Sequence, residues 1–417
     1  MVKQGRVNSL VILVLACFVA GRVAASSSYS VTDFGAKGDG VTDDTKAFLD
    51  TWNATCQSSV SSVLFIPAGK TFLLNPIVFH GPCKFYIRVQ VDGDIIRPGK
   101  LWGGNFAHWL LFSHIDQLSI VGSGKIDGQG AAWWSCKTNH VSFSSSPLSC
   151  FCLRQSHVSA VSSSCFLHAF TSFGFFRSNA QPVPTAQVAG LRLISSPQMH
   201  LVVGFSSAVR ITGLTITAPG DSLNTDGVHI EQSRDVVVSD STIGTGDDCI
   251  SIGTGSILVN VSRVTCGPGH GISIGSLGMA NSLAQVSDIQ VDHCNVFSTM
   301  NGGGYGYAKN IIFESINLTA VMNPIIIDQH YCANNVCAEQ RSAVQVSDVR
   351  FIDVRGTSSS QVAINLNCSQ NVACTGITFH NVEIQPAQRG GQASSYCFNA
   401  HGTVTGIAIP AVPCLMP

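Results

Sequence analysis

Asp235-Val236-Val237-Val238-Ser239-Asp240-Ser241-Thr242-Ile243 is the stretch that decides the fold. A short apolar run meets a polar Ser-Asp-Ser turn, and a second short apolar strand begins at once. The phrase recurs upstream as Val209-Arg210-Ile211-Thr212-Gly213-Leu214-Thr215-Ile216 and downstream as Ile257-Leu258-Val259-Asn260-Val261. Further copies start near Val286, Asn310, Val346 and Thr375, at irregular intervals of roughly 20 to 40 residues, the period of stacked repeats. Strands this short bury no face alone and become stable only when each copy packs on its neighbours. Helical signals are nearly absent from these segments. The pattern therefore predicts an all-β protein, a right-handed parallel β-helix. A β-sandwich competes, but its hairpins need tight turns, and Asn-Gly and Asp-Gly are too few here to join every strand pair.

Composition agrees. The 417 residues include 40 Gly, 45% apolar residues and only 11% charged ones. That charged share is under half of the usual ~25%. The apolar content is enough for a large core and excludes disorder. A net charge of −1 excludes a strongly basic nucleic-acid binder.

Residues 1–25 read as a secretory signal peptide. Lys3 and Arg6 precede an apolar run from Leu10 to Ala20, and Val23-Ala24-Ala25 offers small residues for cleavage. The run is too short to span a bilayer. Removing the segment takes Lys3, Arg6 and Arg22 from the 23 basic residues, leaving 20 against 24 acidic ones, a charge near −4. Residues 26–417 are then expected to form a single soluble, secreted, monomeric domain that engages neither membrane nor nucleic acid. Of 16 Cys, Cys17 leaves with the signal, and the odd remainder leaves one thiol unpaired. Cys332/Cys337, Cys368/Cys374 and Cys397/Cys414 look like local disulfide clips. Zinc competes, but no second Cys-x-x-Cys or His pair completes four ligands. Sequons at Asn53, Asn260, Asn317 and Asn367 fit an extracellular glycoprotein.

One stretch stands apart. Val141–Phe176 holds eleven Ser, seven Phe and a single charged residue, Arg154, and nothing in it has the coil phrase. It reads as an atypical insertion, either a genuine surface loop or translated non-coding sequence, with the second favoured.

The chemistry concentrates in three Gly-flanked phrases: Asn224-Thr225-Asp226-Gly227, Gly246-Asp247-Asp248-Cys249 and Gly267-Pro268-Gly269-His270-Gly271. Asp248 lies 22 residues after Asp226, and His270 lies 22 after Asp248. With one coil per 22 residues, the three stack on successive rungs about 4.8 Å apart, with Asp247 beside them. Carboxylates held this close repel, so at least one keeps its proton at a raised pKa. An acid beside an ionised partner is what cleavage of a glycosidic bond requires. Calcium binding competes for such a cluster, as do aspartates that merely cap strands.

These phrases, with Asp33-Phe34-Gly35-Ala36-Lys37-Gly38-Asp39-Gly40, Ser196-Pro197-Gln198-Met199-His200, Tyr307-Ala308-Lys309-Asn310 and Ile325-Ile326-Ile327-Asp328-Gln329-His330-Tyr331-Cys332, resemble the plant polygalacturonases. The resemblance covers nearly the whole chain after residue 25 apart from the Ser/Phe-rich stretch. It implies a parallel β-helix that hydrolyses α-1,4 bonds of pectic galacturonan in the cell wall with inversion, without metal or organic cofactor. It implies Asp247 as general acid, Asp226 and Asp248 as the pair activating water, and His270 as the histidine tuning the acid. Asn224, Tyr331 and Lys309 are read as substrate contacts.

Two departures bear on activity. The family's Arg-Ile-Lys triplet is missing where Asn301-Gly302 runs into Gly303-Gly304-Tyr305-Gly306, and Lys309 belongs to a different phrase. Cation–carboxylate contacts are among the stronger hydrogen bonds, so the loss implies weakened binding of uronate and leaves an impaired, pectin-binding homologue as the alternative. The coil after Pro184-Thr185-Ala186 also looks shortened. Gly271-Ile272-Ser273-Ile274-Gly275 and Gly220-Asp221-Ser222-Leu223 imitate serine-hydrolase motifs, but the first lies in an alternating strand pattern instead of a strand–turn–helix elbow.

Overall fold

The computed structural model describes residues 26–99, 108–139, 171–176, 186–294, 299–300, 304–330 and 342–415. The signal segment, residues 141–170, the junction at 301–303, Tyr331 and the Cys332/Cys337 pair lie outside the described residues.

Short parallel strands build the molecule. One coil runs from Val228–Glu231, in a seven-stranded sheet, through Arg234–Gly244, in a nineteen-stranded sheet, and returns to the first sheet at Asp248–Ile252. The next takes Ile257–Cys266 and returns at Gly271–Ile274. Val228 pairs with Ile250 and Ile250 with Ile272, all in parallel, so the rung here is 22 residues long, as the motif spacing implied. The stack continues through a four-stranded sheet that includes Ile325–Asp328, Val362–Asn367 and Ser394–Phe398. This is the parallel β-helix expected from the repeat.

Alternation makes the core. In-pointing side chains stack rung on rung, as at Val236–Val259–Ile289–Ile311–Val349, each almost wholly buried. Phe313, Phe351 and Phe379 form a second file, with ring centroids 5.3 and 5.1 Å apart. Burying such a side chain is worth about 1.5–3 kcal/mol, and every coil buries several. The helix Thr45–Gln57 packs against the first strands and sets Trp52 edge-on to Phe79 and Phe112.

Corners are made by left-handed residues. Asp240, Arg263, His293, Ser315, Asp353 and Asn381 all have φ between 51° and 56°, and pairing of the residues just before them puts all six at one corner. Asp235, Leu258, Asp288, Asn310 and Asp348 mark the other corner at φ 54–60°. L-residues resist this region, and side-chain ladders offset the cost. Arg263 donates to Asp240 at 2.6 and 2.8 Å, and Asn381 Nδ2 donates to Asp353 Oδ1 at 3.2 Å.

One sequence expectation changes. Thr171–Phe176, the end of the stretch set apart as an insertion, is a strand with parallel partners on both sides, His108–Ser113 and Leu201–Gly204. Those six residues are part of the coil stack. Disulfides Cys368–Cys374 and Cys397–Cys414 form as expected, and Cys56–Cys83 and Cys249–Cys266 form in addition. Among the described residues Cys294 is a buried free thiol, and no helix is long and apolar enough to cross a membrane.

Candidate active site

Asp226, Asp247, Asp248 and His270 converge where the seven-stranded sheet begins three consecutive strands. Tight turns aim them there. Thr225 Oγ1 donates to Ser222 O at 2.8 Å and accepts from Gly246 N at 3.0 Å, tying two turns together. Gly246 is required at that junction, because a Cβ on it would stand 2.1 Å from Ser222 O. From below, His200 holds the Thr225–Asp226 backbone, with Nδ1 3.2 and 3.1 Å from the two carbonyl oxygens. Its burial pushes it down to about 4, which keeps the ring neutral and able to accept from Ser196 N at Nε2.

The carboxylates have different surroundings. Asp226 and Asp248 are 7% and 8% exposed. Burial, then the charge of Asp247, raises Asp226 above the ordinary carboxylate value. Burial, then the charge of Asp226, pushes Asp248 up to about 7. Ser251 Oγ donates to Asp226 Oδ2 at 2.6 Å and Ser273 Oγ donates to Asp248 Oδ2 at 2.5 Å. Asp248 Oδ1 is buried and has no hydrogen-bond partner among the described residues. Asp247 instead gathers four donors: Asn224 N at 3.1 Å and Nδ2 at 3.3 Å on Oδ2, Asp248 N at 2.9 Å and His270 Nδ1 at 3.1 Å on Oδ1. The bond to Asp247 is the main reason His270 is raised above an ordinary histidine. Asn224 reaches its place at φ 56°, the left-handed region an asparagine tolerates.

Spacing alone misplaced one group. It put His270 on the rung directly over Asp248, whereas Gly271 pairs there, because the register shifts between Asp248 and Ile250. The shift sets His270 over Asp247, where its backbone N–H also reaches Asp247 O at 2.9 Å. Lys309 is not brought to the cluster. It stands in the nineteen-stranded sheet with Nζ 4.6 Å over the Tyr307 ring, and its charge acts on Asp288. Both serine decoys have other duties. Ser222 is buried and donates to Pro219 O, and Ser273 serves Asp248.

Sequence reasoning passed over the row beneath the carboxylates. His229, Ser251 and Ser273 pair in file across the three strands, at the same 22-residue interval as the aspartates. That interval was the signal available. Asp247, Asp248 and His270 also offer donor atoms all within 4.8 Å of one another, a set able to hold a cation.

Buried carboxylates held at raised pKa by burial and mutual repulsion, side by side on one face of a polar-floored sheet, are equipment for acid–base cleavage of a glycosidic bond. Fold and site together define a β-helical glycoside hydrolase. The chain belongs to the glycosyl hydrolases family 28, whose model matches residues 56–162 and 177–407. A polygalacturonase of Malus domestica is 40% identical over 408 residues, 94% of this chain and 81% of the relative. One of Prunus persica is 37% identical over 409 residues, 95% of this chain and 96% of the relative. Among solved structures, the polygalacturonase of Erwinia carotovora superposes with a TM-score of 0.63 at 18% identity, covering 92% of this chain and 97% of that one. The endo-xylogalacturonan hydrolase of Aspergillus tubingensis does so with a TM-score of 0.67 at 22% identity, covering 92% and 100%. These two likenesses concern the fold.

Proposed function

We propose that the protein hydrolyses α-1,4-galacturonosyl bonds of homogalacturonan by a single inverting displacement, acting as a secreted monomer on cell-wall pectin. The observation that carries this is the column of buried Asp226 and Asp248 with Asp247 at its flank, in a family 28 chain whose relatives are named polygalacturonases. In this mechanism Asp247 gives a proton to the leaving oxygen and is left as a carboxylate, with His270, 3.1 Å away, tuning it. Asp226 and Asp248 hold the water and take its proton, and Asn224 orients Asp247. Tyr331 is assigned to the substrate wall by resemblance. Lys309 is left out of the site. One observation favours exchanging two of the parts: Asp248 keeps a proton up to about 7 and has one oxygen without a partner among the described residues, whereas Asp247 is already ringed by donors.

The test is release of reducing ends from de-esterified polygalacturonic acid by the secreted protein, with a calcium chelator present. New saturated ends, with inverted configuration by proton NMR, are the expected result. Asp247→Asn should lower kcat by a factor of about 10² or more, the usual range for loss of a general acid. Folded protein that releases nothing would establish the impaired homologue, for which the missing Arg-Ile-Lys triplet is the motive. Unsaturated ends, formed only without chelator, would replace hydrolysis with metal-dependent elimination.

A further inference from the structure

Beneath the three aspartates the floor of the site holds a chain of polar groups that the proposed mechanism does not use. Glu231 Oε2 lies 3.7 Å from His229 Nε2, His229 Nδ1 lies 2.8 Å from Ser251 Oγ, and Ser251 Oγ lies 2.6 Å from Asp226 Oδ2. The strand Val228–Glu231 supplies both Glu231 and His229, which point to the same face because they are two residues apart. Ser251 comes from the next rung, directly opposite His229.

The hydrogen bond to Ser251 and the carboxylate of Glu231 bias the protonation of His229. A serine hydroxyl has one proton, and that of Ser251 goes to Asp226 Oδ2. Toward His229 it can only accept, so Nδ1 carries a proton. The other ring nitrogen faces the carboxylate of Glu231, which is satisfied best by a second N–H. With Asp226 ionised, Nδ1 donates to Ser251, and the Glu231 carboxylate 3.7 Å from Nε2 favours the imidazolium form.

We propose that His229 is a positioning residue that acts through Ser251, holding Asp226 ionised and aimed as the base that takes the proton from water. This inference rests on the hydrolase reading above. Two effects oppose ionisation of Asp226, its burial and the charge of Asp247. The neighbouring imidazolium and the Ser251 hydroxyl act in the opposite sense. A hydroxyl whose oxygen accepts from a cation is a stronger donor on its other side, as in polarised chains of hydrogen bonds. Asp248 has a serine, Ser273, but Ser273 has a serine in file beneath it and no imidazole. The two buried carboxylates are thereby made unequal. The charged groups facing His229 are Glu231 on its own strand, Asp226 on the preceding turn and Asp248 on the next rung. Asp247 and His270 stand beyond them, and His108 faces Glu231. Burial works to deprotonate His229, but Glu231, then Asp226 and Asp248, outweigh it and hold the ring above its ordinary value.

Two measurements on the full secreted chain test this. In protein labelled with ¹³C at histidine Cε1, His229→Gln identifies the His229 resonance by its loss. That resonance should titrate above the ordinary ~6.5, and its midpoint should fall in Glu231→Gln and in Asp226→Asn. In reducing-end assays, His229→Gln and Ser251→Ala, with melting and circular dichroism unchanged, should each move the acidic limb of kcat/KM upward by about one pH unit. That is about a tenfold loss below the limb. KM on the alkaline side should be unchanged, and the double variant should be no worse than the worse single one, since the residues act in series. A folded His229→Gln with an unmoved acidic limb overturns the proposal, even if overall activity falls. So does a His229 resonance at or below the ordinary value that ignores Glu231→Gln. If the unmodified protein releases no ends, the hydrolase reading fails, and the titration alone then upholds or overturns the relay.

Discussion

Asp248 shows how far the site works against the stability of the chain. The folded protein keeps its proton up to about pH 7, whereas the unfolded chain releases it near 3.8. Below 3.8 both states are protonated and burial has no ionic cost. As pH rises through the window from 3.8 to about 7 the folded state alone holds the proton, so stability falls, and above 7 the full penalty is present. The penalty is at most on the order of 4 kcal/mol, shared with Asp226. Asp248→Asn removes it. The variant should melt higher than the parent at pH 8, match it near pH 4, and lose turnover; an equal shift at both pH values would refute the assignment of cause. At this scale the sequence disclosed the aspartates through their Gly-flanked spacing. It concealed the His229–Ser251–Ser273 file, because a polar residue at every second strand position also looks like an ordinary outward face. It misled on His270, since a bulge between Asp248 and Ile250 leaves no mark in a count of residues.

Elements of the coil were legible because the interior file repeats, as at Val236, Val259 and Ile289. The strand Thr171–Phe176 was hidden in a stretch almost devoid of charge, and only its partners on both sides reveal it. Cys56–Cys83 and Cys249–Cys266 were not singled out in the sequence, although Cys249–Cys266 spans the same 17 residues as the anticipated Cys397–Cys414; the coil geometry is what brings them together. The corners offer an element-scale prediction. Leu258 sits at φ 58°, 44% exposed, in the file that elsewhere holds Asp235, Asp288, Asn310 and Asp348. Leucine pays for the left-handed region, and asparagine visits it readily. Leu258→Asn should therefore raise stability by about 1 kcal/mol, read as a higher denaturant midpoint at unchanged slope. A lower midpoint would mean that the leucine makes contacts worth more than its strain.

If residues 1–25 are removed on secretion, as proposed, the molecule as a whole is a weak polyanion with 20 basic and 24 acidic residues, and its site is itself acidic. The proposed substrate is a polyanion too. Without the Arg-Ile-Lys triplet, repulsion should dominate encounter, so kcat/KM should rise as salt increases from about 0.01 to 0.15 M and the Debye length shrinks from about 30 to 8 Å. A fall would reveal a cationic clamp elsewhere on the chain. The site's position along the stack has a further consequence. Asp226, Asp248 and His270 hang on interior rungs, and their backbone is knitted to neighbours on both sides, as Gly227 N to Asp248 O at 2.8 Å and His270 N to Asp247 O at 2.9 Å. The ends of a solenoid fray first, whereas these amides exchange with solvent only when the middle of the column opens. Fraying at the ends should therefore leave the catalytic rungs intact, so activity on heating should outlast the first loss of protection at the termini.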